Sequence, residues 1–447
     1  MRRLNMLKIK DSSSGLLKPL NDPEISIYNC GPTVYNDVHV GNIRPVITLD
    51  VLYRYLTLNK IPVKYVHNIT DIDDKIINKA IETKQEELTL SEHYFQEYLK
   101  ILNILNIKPM TVLPKVSDNI NGIIEFVKQL IDHKKAYVVD GDVYFDLGQV
   151  NNYGIVSGQK KEQLLKGVRK EIDQKKHHPL DFVLWKKTDL GINWKTEWNN
   201  HGRPGWHTEC VYLINKFIGK SVTIHGGGVD LKFPHHENEN AQNLALNNLP
   251  LAKIWMHVGH INVNGEKMSK SLGNFTLAKD ILKVHDANSV RWFFYQTKYQ
   301  APLNYSNDAI IQAKTDLIKI FKAINLALIN YYWLSNNINV EINPLLLSNN
   351  FINAIEDDLN FPNMVQAIYE YTKELSSLIR NKDQNKLEFY LNSLVNMFNV
   401  LGLKWINILE NAETLNLVKE WKIALNNKDY HSADQVRKQL QELDVIN

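Results

Sequence analysis

Between Glu24 and Ile69 the apolar period of the chain changes twice, and this restricts the fold more than any other stretch does. Ile25 and Ile27 alternate with polar neighbours over Glu24 to Asn29, the period of a strand, and Cys30-Gly31-Pro32 breaks it. After a loop that holds His39-Val40-Gly41-Asn42, the apolar residues Leu49, Leu52, Tyr53 and Leu56 recur at helical spacing. A second strand, Val63 to Ile69, follows Pro62. Strand, glycine-containing loop, helix, strand is the opening of a doubly wound parallel sheet that binds nucleotides.

A chain of 447 residues exceeds a single core, so more than one domain is expected. The sequence predicts an α/β fold, a Rossmann-type doubly wound parallel sheet split by an insertion and followed by an α-helical C-terminal domain. Residues 20–125 and 200–250 are expected to form the two halves of the nucleotide-binding domain. Residues 126–199 read as the insertion, with strands at Asp142–Phe145 and Asp181–Trp185 around the charged Lys160–His178. Val222-Thr223-Ile224 reads as a strand that ends in a turn at Gly226-Gly227-Gly228, and Trp255 to His260 as one more strand. Residues 251–308 carry a lysine-rich loop. From 309 to 447 the pattern is amphipathic helix: Ile310, Ala313, Leu317, Ile320, Ile324 and Leu328 share one face, as do Val365, Ile368, Leu375, Leu378 and Ile379.

Composition excludes little but narrows the setting. No apolar run reaches the ~18–20 residues of a membrane span, and Met1–Lys10 has basic residues with no apolar segment behind them, so a cytoplasmic protein with no membrane partner is expected. A net charge of +3 permits a local basic face without diagnosing a nucleic-acid partner. The two cysteines, Cys30 and Cys210, are not expected to be a disulfide in that setting, and by residue type alone they read as small buried hydrophobes.

Three constellations carry chemistry. In His39-Val40-Gly41-Asn42 the glycine lets backbone approach a ligand, the helix that follows favours phosphate, and His39 can donate to a phosphate oxygen. Lys267-Met268-Ser269-Lys270-Ser271, before Leu272-Gly273-Asn274, places two cations on a short loop able to clamp a triphosphate. Cys30 ends the first strand, Cys210 closes Gly205-Trp206-His207-Thr208-Glu209-Cys210, and His235 and Glu239 lie four apart behind Pro234, on one helix face. Two thiolates, an imidazole and a carboxylate suit zinc.

In this order the first two motifs resemble the paired signatures of class I aminoacyl-tRNA synthetases. With the third, and with Asn68–Lys75, Gly141–Phe145, Asp181–Lys186 and Gly226–Leu231, the chain resembles the cysteinyl-tRNA synthetase family over nearly its full length. The resemblance implies one zinc ion held by Cys30, Cys210, His235 and Glu239. It implies ATP, accompanied by Mg2+, held by His39, Gly41, Asn42, Asp230, Lys267 and Lys270, with His39, Asn42, Lys267 and Lys270 as the catalytic set. Thr70 and Trp206 are expected to line the amino-acid pocket. The implied reaction is ATP-dependent activation of L-cysteine and its transfer to the 3′-terminal ribose of tRNA-Cys, by a monomer, with the metal selecting the thiol.

Two departures stand out. Asn42 occupies the place where the family usually has a second histidine, and the chain stops at Asp444-Val445-Ile446-Asn447, where relatives usually continue into a Gly-Thr-x-Trp segment. The alternatives are a cysteine ligase acting on an amino sugar, as in mycothiol synthesis, and a non-catalytic nucleotide- or RNA-binding regulator with the same fold. A zinc hydrolase fits poorly, because four protein ligands leave no ready position for water.

Overall fold

The computed structural model describes residues 7–150, 152–159, 175–263, 265–268, 275–340, 343 and 345–446. A short antiparallel hairpin, β1 (Lys8–Lys10) and β2 (Leu17–Pro19), precedes β3 (Ile25–Asn29). Helix α1 (Val40–Leu58) returns the chain to β4 (Val63–His67), which lies parallel to β3. The strand–helix–strand reading of this region therefore holds, with one correction. Val40, Gly41 and Asn42 are not in a loop but form the first turn of α1, and His39 is its N-cap.

Helices α2 (Asp74–Thr83), α3 (Glu87–Ile104) and α4 (Ile120–Asp132) lead into the insertion. There β5 (Ala136–Val139), β6 (Asp142–Phe145) and β7 (Phe182–Lys187) make a separate antiparallel sheet in sequential order, and β8 (Gly202–Pro204), just beyond the boundary expected at 199, pairs with β7 and completes it. Most of the charged stretch Lys160–His178, namely 160–174, lies outside the described residues. The chain re-enters the nucleotide-binding part through α5 (Trp206–Phe217), β9 (Val222–Gly228), α6 (His235–Asn247) and β10 (Ala252–Val258).

The central sheet has the order β10-β9-β3-β4, all parallel. Both of its faces are covered. Ile25 and Ile27 join a core shared with α1 and the C-terminal helices, whereas Tyr28 and Val66 join a second core with α4, α5 and the insertion. The chain leaves β3 toward β4 on one side and pairs with β9 on the other. This reversal opens a crevice beyond the carboxyl ends of β3 and β9, where doubly wound sheets bind ligands.

The triple glycine is not a turn: Gly226, Gly227 and Gly228 continue β9 and pair with Met256, His257 and Val258. Glycine is required there by packing, because a Cβ on Gly226 would come 2.6 Å from Leu49 of α1. Beyond β10, β11 (Ile261–Val263) pairs with β12 (Glu266–Lys267) and with β13 (Leu303–Tyr305), and α7 (Ala278–Val284) and α8 (Ala287–Phe294) lie between them.

The remainder is helical: α9 (Asn307–Ser335), α10 (Asn349–Glu356), α11 (Phe361–Asn381), α12 (Gln384–Leu401), α13 (Ala412–Asn426) and α14 (Tyr430–Glu442). The face expected of α9 is the buried one, from Ile310 to Leu328. No helix among the described residues is long and apolar enough to cross a membrane. Helix α12 packs on α1 around a buried charge cluster. Arg291 donates to Asp50 (2.6 Å) and to the carbonyls of Leu105 and Leu401, and Arg54 donates to the same Asp50 oxygen (2.8 Å).

Candidate active site and metal centre

The crevice at the ends of β3, β9 and β10 is a cavity of about 320 Å³. Its floor is built from the residues at the carboxyl end of each strand: Cys30 and Gly31 after β3, Gly228 ending β9 with Asp230 beyond it, Gly259 and His260 after β10. One wall is the first turn of α1, with His39, Gly41 and Asn42; Trp206, at the start of α5, forms another.

The helix start has a specific architecture. Asn42 Oδ1 accepts from the His39 backbone N–H (3.0 Å), and the Asn42 N–H donates back to the His39 carbonyl (2.9 Å). Asn42 therefore does what a glutamate or glutamine does at the third position of a capping box. Residues just past the lysine loop are laced to this turn, Val40 N–H to the Thr276 carbonyl (3.0 Å) and Ala278 N–H to the Val38 carbonyl (2.9 Å). Met268, from the second motif, lies over the first, since a Cβ on Gly41 would be 3.2 Å from its Cε. The two motifs, more than 200 residues apart in sequence, thus share one end of the cleft. The backbone of Lys267 pairs with Asn262, and Lys270 lies outside the described residues.

The four expected metal ligands converge. The Sγ atoms of Cys30 and Cys210 are 3.8 Å apart, and each lies 3.6–3.7 Å from His235 Nε2. Glu239 Oε1 is 3.7 Å from Cys30 Sγ and 2.7 Å from His235 Nε2. A tetrahedral ion with Zn–S bonds of about 2.3 Å sets its sulfurs about 3.8 Å apart, so the thiol pair fits zinc. The electrostatics fit as well. Burial, followed by the neighbouring Cys210 and Glu239, pushes the Cys30 thiol well above its ordinary range. Burial would also raise Glu239, yet His235 and His225 hold its carboxyl well below the carboxylate range. Thiols and a carboxylate crowded out of water make a set that a divalent cation relieves.

A sheath of histidines that the sequence reading did not single out surrounds this set. His225 Nε2 meets Glu239 Oε2 (2.7 Å), His207 Nδ1 meets His235 Nδ1 (2.9 Å), and His236 Nδ1 meets His257 Nε2 (2.8 Å). His236 Nε2 approaches Cys30 Sγ at 3.4 Å, so Cys30, His225, His236 and Glu239 form a second convergent group that shares two members with the first. The Trp206 indole stacks on His235, with centroids 4.1 Å apart and planes 20° from parallel. Thr70 is buried behind the lining: its backbone bridges Thr33, which lines the cleft, its hydroxyl donates to Glu209 (3.1 Å), and it is not itself among the lining residues. The cleft also presents Tyr35, Lys75 and His67. Burial pushes the His67 imidazole down to about 4.

Residues 16–315 match the family described as tRNA synthetases class I (C) catalytic domain, and residues 350–407 match the DALR domain. A cysteine--tRNA ligase of Ureaplasma parvum is 49% identical over 98% of this chain and 100% of its own length. Those of Malacoplasma penetrans and Clostridioides difficile are 46% and 41% identical, each over 96% of this chain and over 97% and 94% of their own. Among solved structures, Mycobacterium tuberculosis methionyl-tRNA synthetase in complex with methionyl-adenylate superposes with a TM-score of 0.61 at 14% identity, covering 85% of this chain and 90% of its own. Agrobacterium radiobacter LeuRS, in a ternary complex with tRNA and LeuAMS, gives 0.62 at 10% identity, covering 85% and 84%.

Proposed function

The chain belongs to the cysteine--tRNA ligase family of class I aminoacyl-tRNA synthetases, and we propose that the cleft beyond β3, β9 and β10 is where it performs both half-reactions. The enzyme attaches cysteine to tRNA-Cys at the expense of ATP. In the first half a carboxylate oxygen of cysteine attacks the α-phosphorus of ATP and pyrophosphate leaves. In the second, a hydroxyl of the terminal tRNA ribose attacks the adenylate carbonyl and AMP leaves.

Neither displacement needs a covalent contribution from the protein; each needs alignment and compensation of charge. His39 and the positive end of α1 face the cleft, so they would bind the phosphates and offset the charge that grows on them. Gly41 keeps that turn bare enough for close approach. Asn42 would act mainly by fixing the His39 backbone, which explains how an amide can stand where the family usually has an imidazole. Asp230 would accept from ribose hydroxyls. Lys267 and Lys270 would hold the β- and γ-phosphates, with Mg2+ accompanying the nucleotide through phosphate oxygens and water.

Trp206 would close one side of the amino-acid pocket and, by stacking on His235, keep water from its far edge. Zinc would be held by Cys30, Cys210, His235 and Glu239; when bound it would take the substrate sulfur as thiolate, a reaction open to a thiol of pKa about 8.5 and scarcely to the hydroxyl of serine. Shape alone separates such near-isosteres by only about 10–200-fold. We read the enzyme as acting as a monomer.

The observation that carries this reading is the meeting of two thiols, an imidazole and a carboxylate, from three segments of chain, beside the capped turn that bears His39. The test is cysteine-dependent exchange of pyrophosphate into ATP, together with charging of tRNA-Cys and metal analysis. Exchange that needs cysteine and charging that follows are expected, with zinc near one per chain. Exchange without charging would point to the amino-sugar ligase, and no exchange to the regulator.

A further inference from the structure

A second cavity, of about 270 Å³, lies on the other side of Trp206, between the insertion sheet and the start of α2. Trp206 lines both cavities, so any chain that reached the adenylate from this side would pass along the indole. Basic side chains come from the insertion, Arg203 on β8 and Lys186 on β7, with Lys176 beside them; Asp73 and Asp74 come from the opposite wall.

Arg203 is only 4% exposed. Its Nη2 pairs with Asp74, which also accepts from Lys186 Nζ (3.1 Å). Its Nη1 is buried and has no hydrogen-bond partner among the described residues. A buried guanidinium with one arm unsatisfied lacks an acceptor that the protein does not supply. Asp74 is an exposed partner, with 58% of its side chain exposed and two cations sharing it. Asp73 acts on the same guanidinium by its charge, and its Oδ1 caps α2 through the Lys75 N–H (2.8 Å).

We propose that Arg203 is the receptor for a backbone phosphate of the tRNA 3′ terminus: a phosphodiester displaces Asp74, takes both arms of the guanidinium, and so sets the terminal ribose against the adenylate. The planar fork of arginine matches two phosphate oxygens, and a phosphodiester brings the single negative charge that Asp74 vacates. Trp206 gives the adjoining base a face on which to stack. Displaced Asp74 stays in water at the first position of α2, where an acidic group is favourable. The proposal rests on the functional reading above, and concerns the second half-reaction only.

The test uses the full-length enzyme and compares pyrophosphate exchange, which needs no tRNA, with charging. Arg203→Gln is expected to lower kcat/KM for tRNA by about tenfold or more beyond any change in exchange, and Arg203→Lys to recover part of the loss. Asp74→Asn, at an exposed position, is expected to lower KM for tRNA, because it removes the competing carboxylate. A tRNA with a neutral methylphosphonate before its last nucleoside should be a poor substrate for the wild type and no worse for Arg203→Gln. If Arg203 and Asp74 only brace the insertion, Asp74→Asn will weaken charging, or both variants will depress exchange and charging alike; either result overturns the proposal. Additive effects of the methylphosphonate and Arg203→Gln overturn it as well. Failure of the wild type to charge at all would instead remove the functional reading.

Discussion

Arg44 offers a sharp test of how the two ends of the cleft are held in register. It lies in α1, one turn beyond His39, and is 1% exposed. Nη1 donates to the carbonyls of Gly259 (2.8 Å), Ala301 (2.8 Å) and His260 (3.2 Å), and Nη2 donates to Thr297 Oγ1 (3.2 Å) and the Lys298 carbonyl (3.4 Å). No carboxylate pairs with it among the described residues, and burial brings its guanidinium down to about 10. The group therefore works as a staple between α1 and the backbone that lines the ATP end of the cleft. Arg44→Met leaves the carbonyls of Gly259 and Ala301 without this donor, whereas that of His260 keeps the Leu303 N–H (3.0 Å). At about 1–3 kcal/mol for each buried acceptor left open, the loss spans about 2–6 kcal/mol. Removing a buried charge gives back part of it, which puts the expected value near about 3 kcal/mol. If Gly259–His260 shifts locally, that energy appears as a fall of about 100-fold in adenylate formation at low ATP, with a raised KM for ATP and little change in KM for cysteine. If the segment stays fixed, it appears as a lower melting temperature. Exchange kinetics over both substrates, with a thermal melt, distinguish the two. A variant with the wild-type ATP KM and an unchanged melt would refute the staple.

Three further outcomes follow from the packing. A Cβ on Gly31 would land 1.6 Å from the Asn68 carbonyl oxygen, so Gly31→Ala must displace Cys30, and purified protein should lose its zinc by metal analysis. Asp50→Asn removes the only carboxylate that pairs with the buried Arg291 among the described residues, and a cost of about 3–5 kcal/mol is expected by denaturant unfolding; Arg291→Met should cost less, since Arg54 still pairs with Asp50. The His67 imidazole, at about 4, lies below its unfolded value of about 6.5, so the unfolded chain takes up a proton first as pH falls. The stability that the neutral ring confers is complete above about 6.5 and declines by about 3 kcal/mol toward pH 4, and His67→Gln should flatten that part of the melting profile.

The parts of the fold that could be read from sequence were those whose cause is local. Alternation at Ile25 and Ile27, and the helical period from Leu49 to Leu56, are set within a few residues of chain, and both elements are present. The spacing of His235 and Glu239 is a property of any helix. The triple glycine was misread because composition signals a need for bare backbone without saying what approaches it, a ligand at a turn or Leu49 from a neighbouring helix. The sequence places Asn42 among the ATP contacts and does not show its cap role, because that role depends on where α1 begins. Arg44, Arg203 and the sheathing histidines were invisible for another reason. Their partners lie far off in sequence, 215 residues in the case of Arg44 and Gly259.

That sheath bears on which atom of His235 can meet a metal. Where two imidazole nitrogens face each other at 2.9 Å, as His207 Nδ1 and His235 Nδ1 do, one must carry a proton and the other must be bare. His235 can offer a lone pair at Nε2 toward Cys30, Cys210 and Glu239 only as the neutral tautomer with its proton on Nδ1, so His207 must be the acceptor. The same logic applies to Glu239. Its Oε2 is taken by His225 Nε2, which turns Oε1 toward the thiols. Thus His207 and His225 are not among the residues that line the cleft, yet they decide which lone pairs point inward. His207→Phe should therefore weaken zinc binding by about 10–100-fold while leaving all four ligands in the chain, and His207→Asn, whose side-chain oxygen can still accept, should weaken it less. Equal zinc affinity in wild type and His207→Phe, read by competition with a chelator, would mean that His235 is oriented by Trp206 stacking alone.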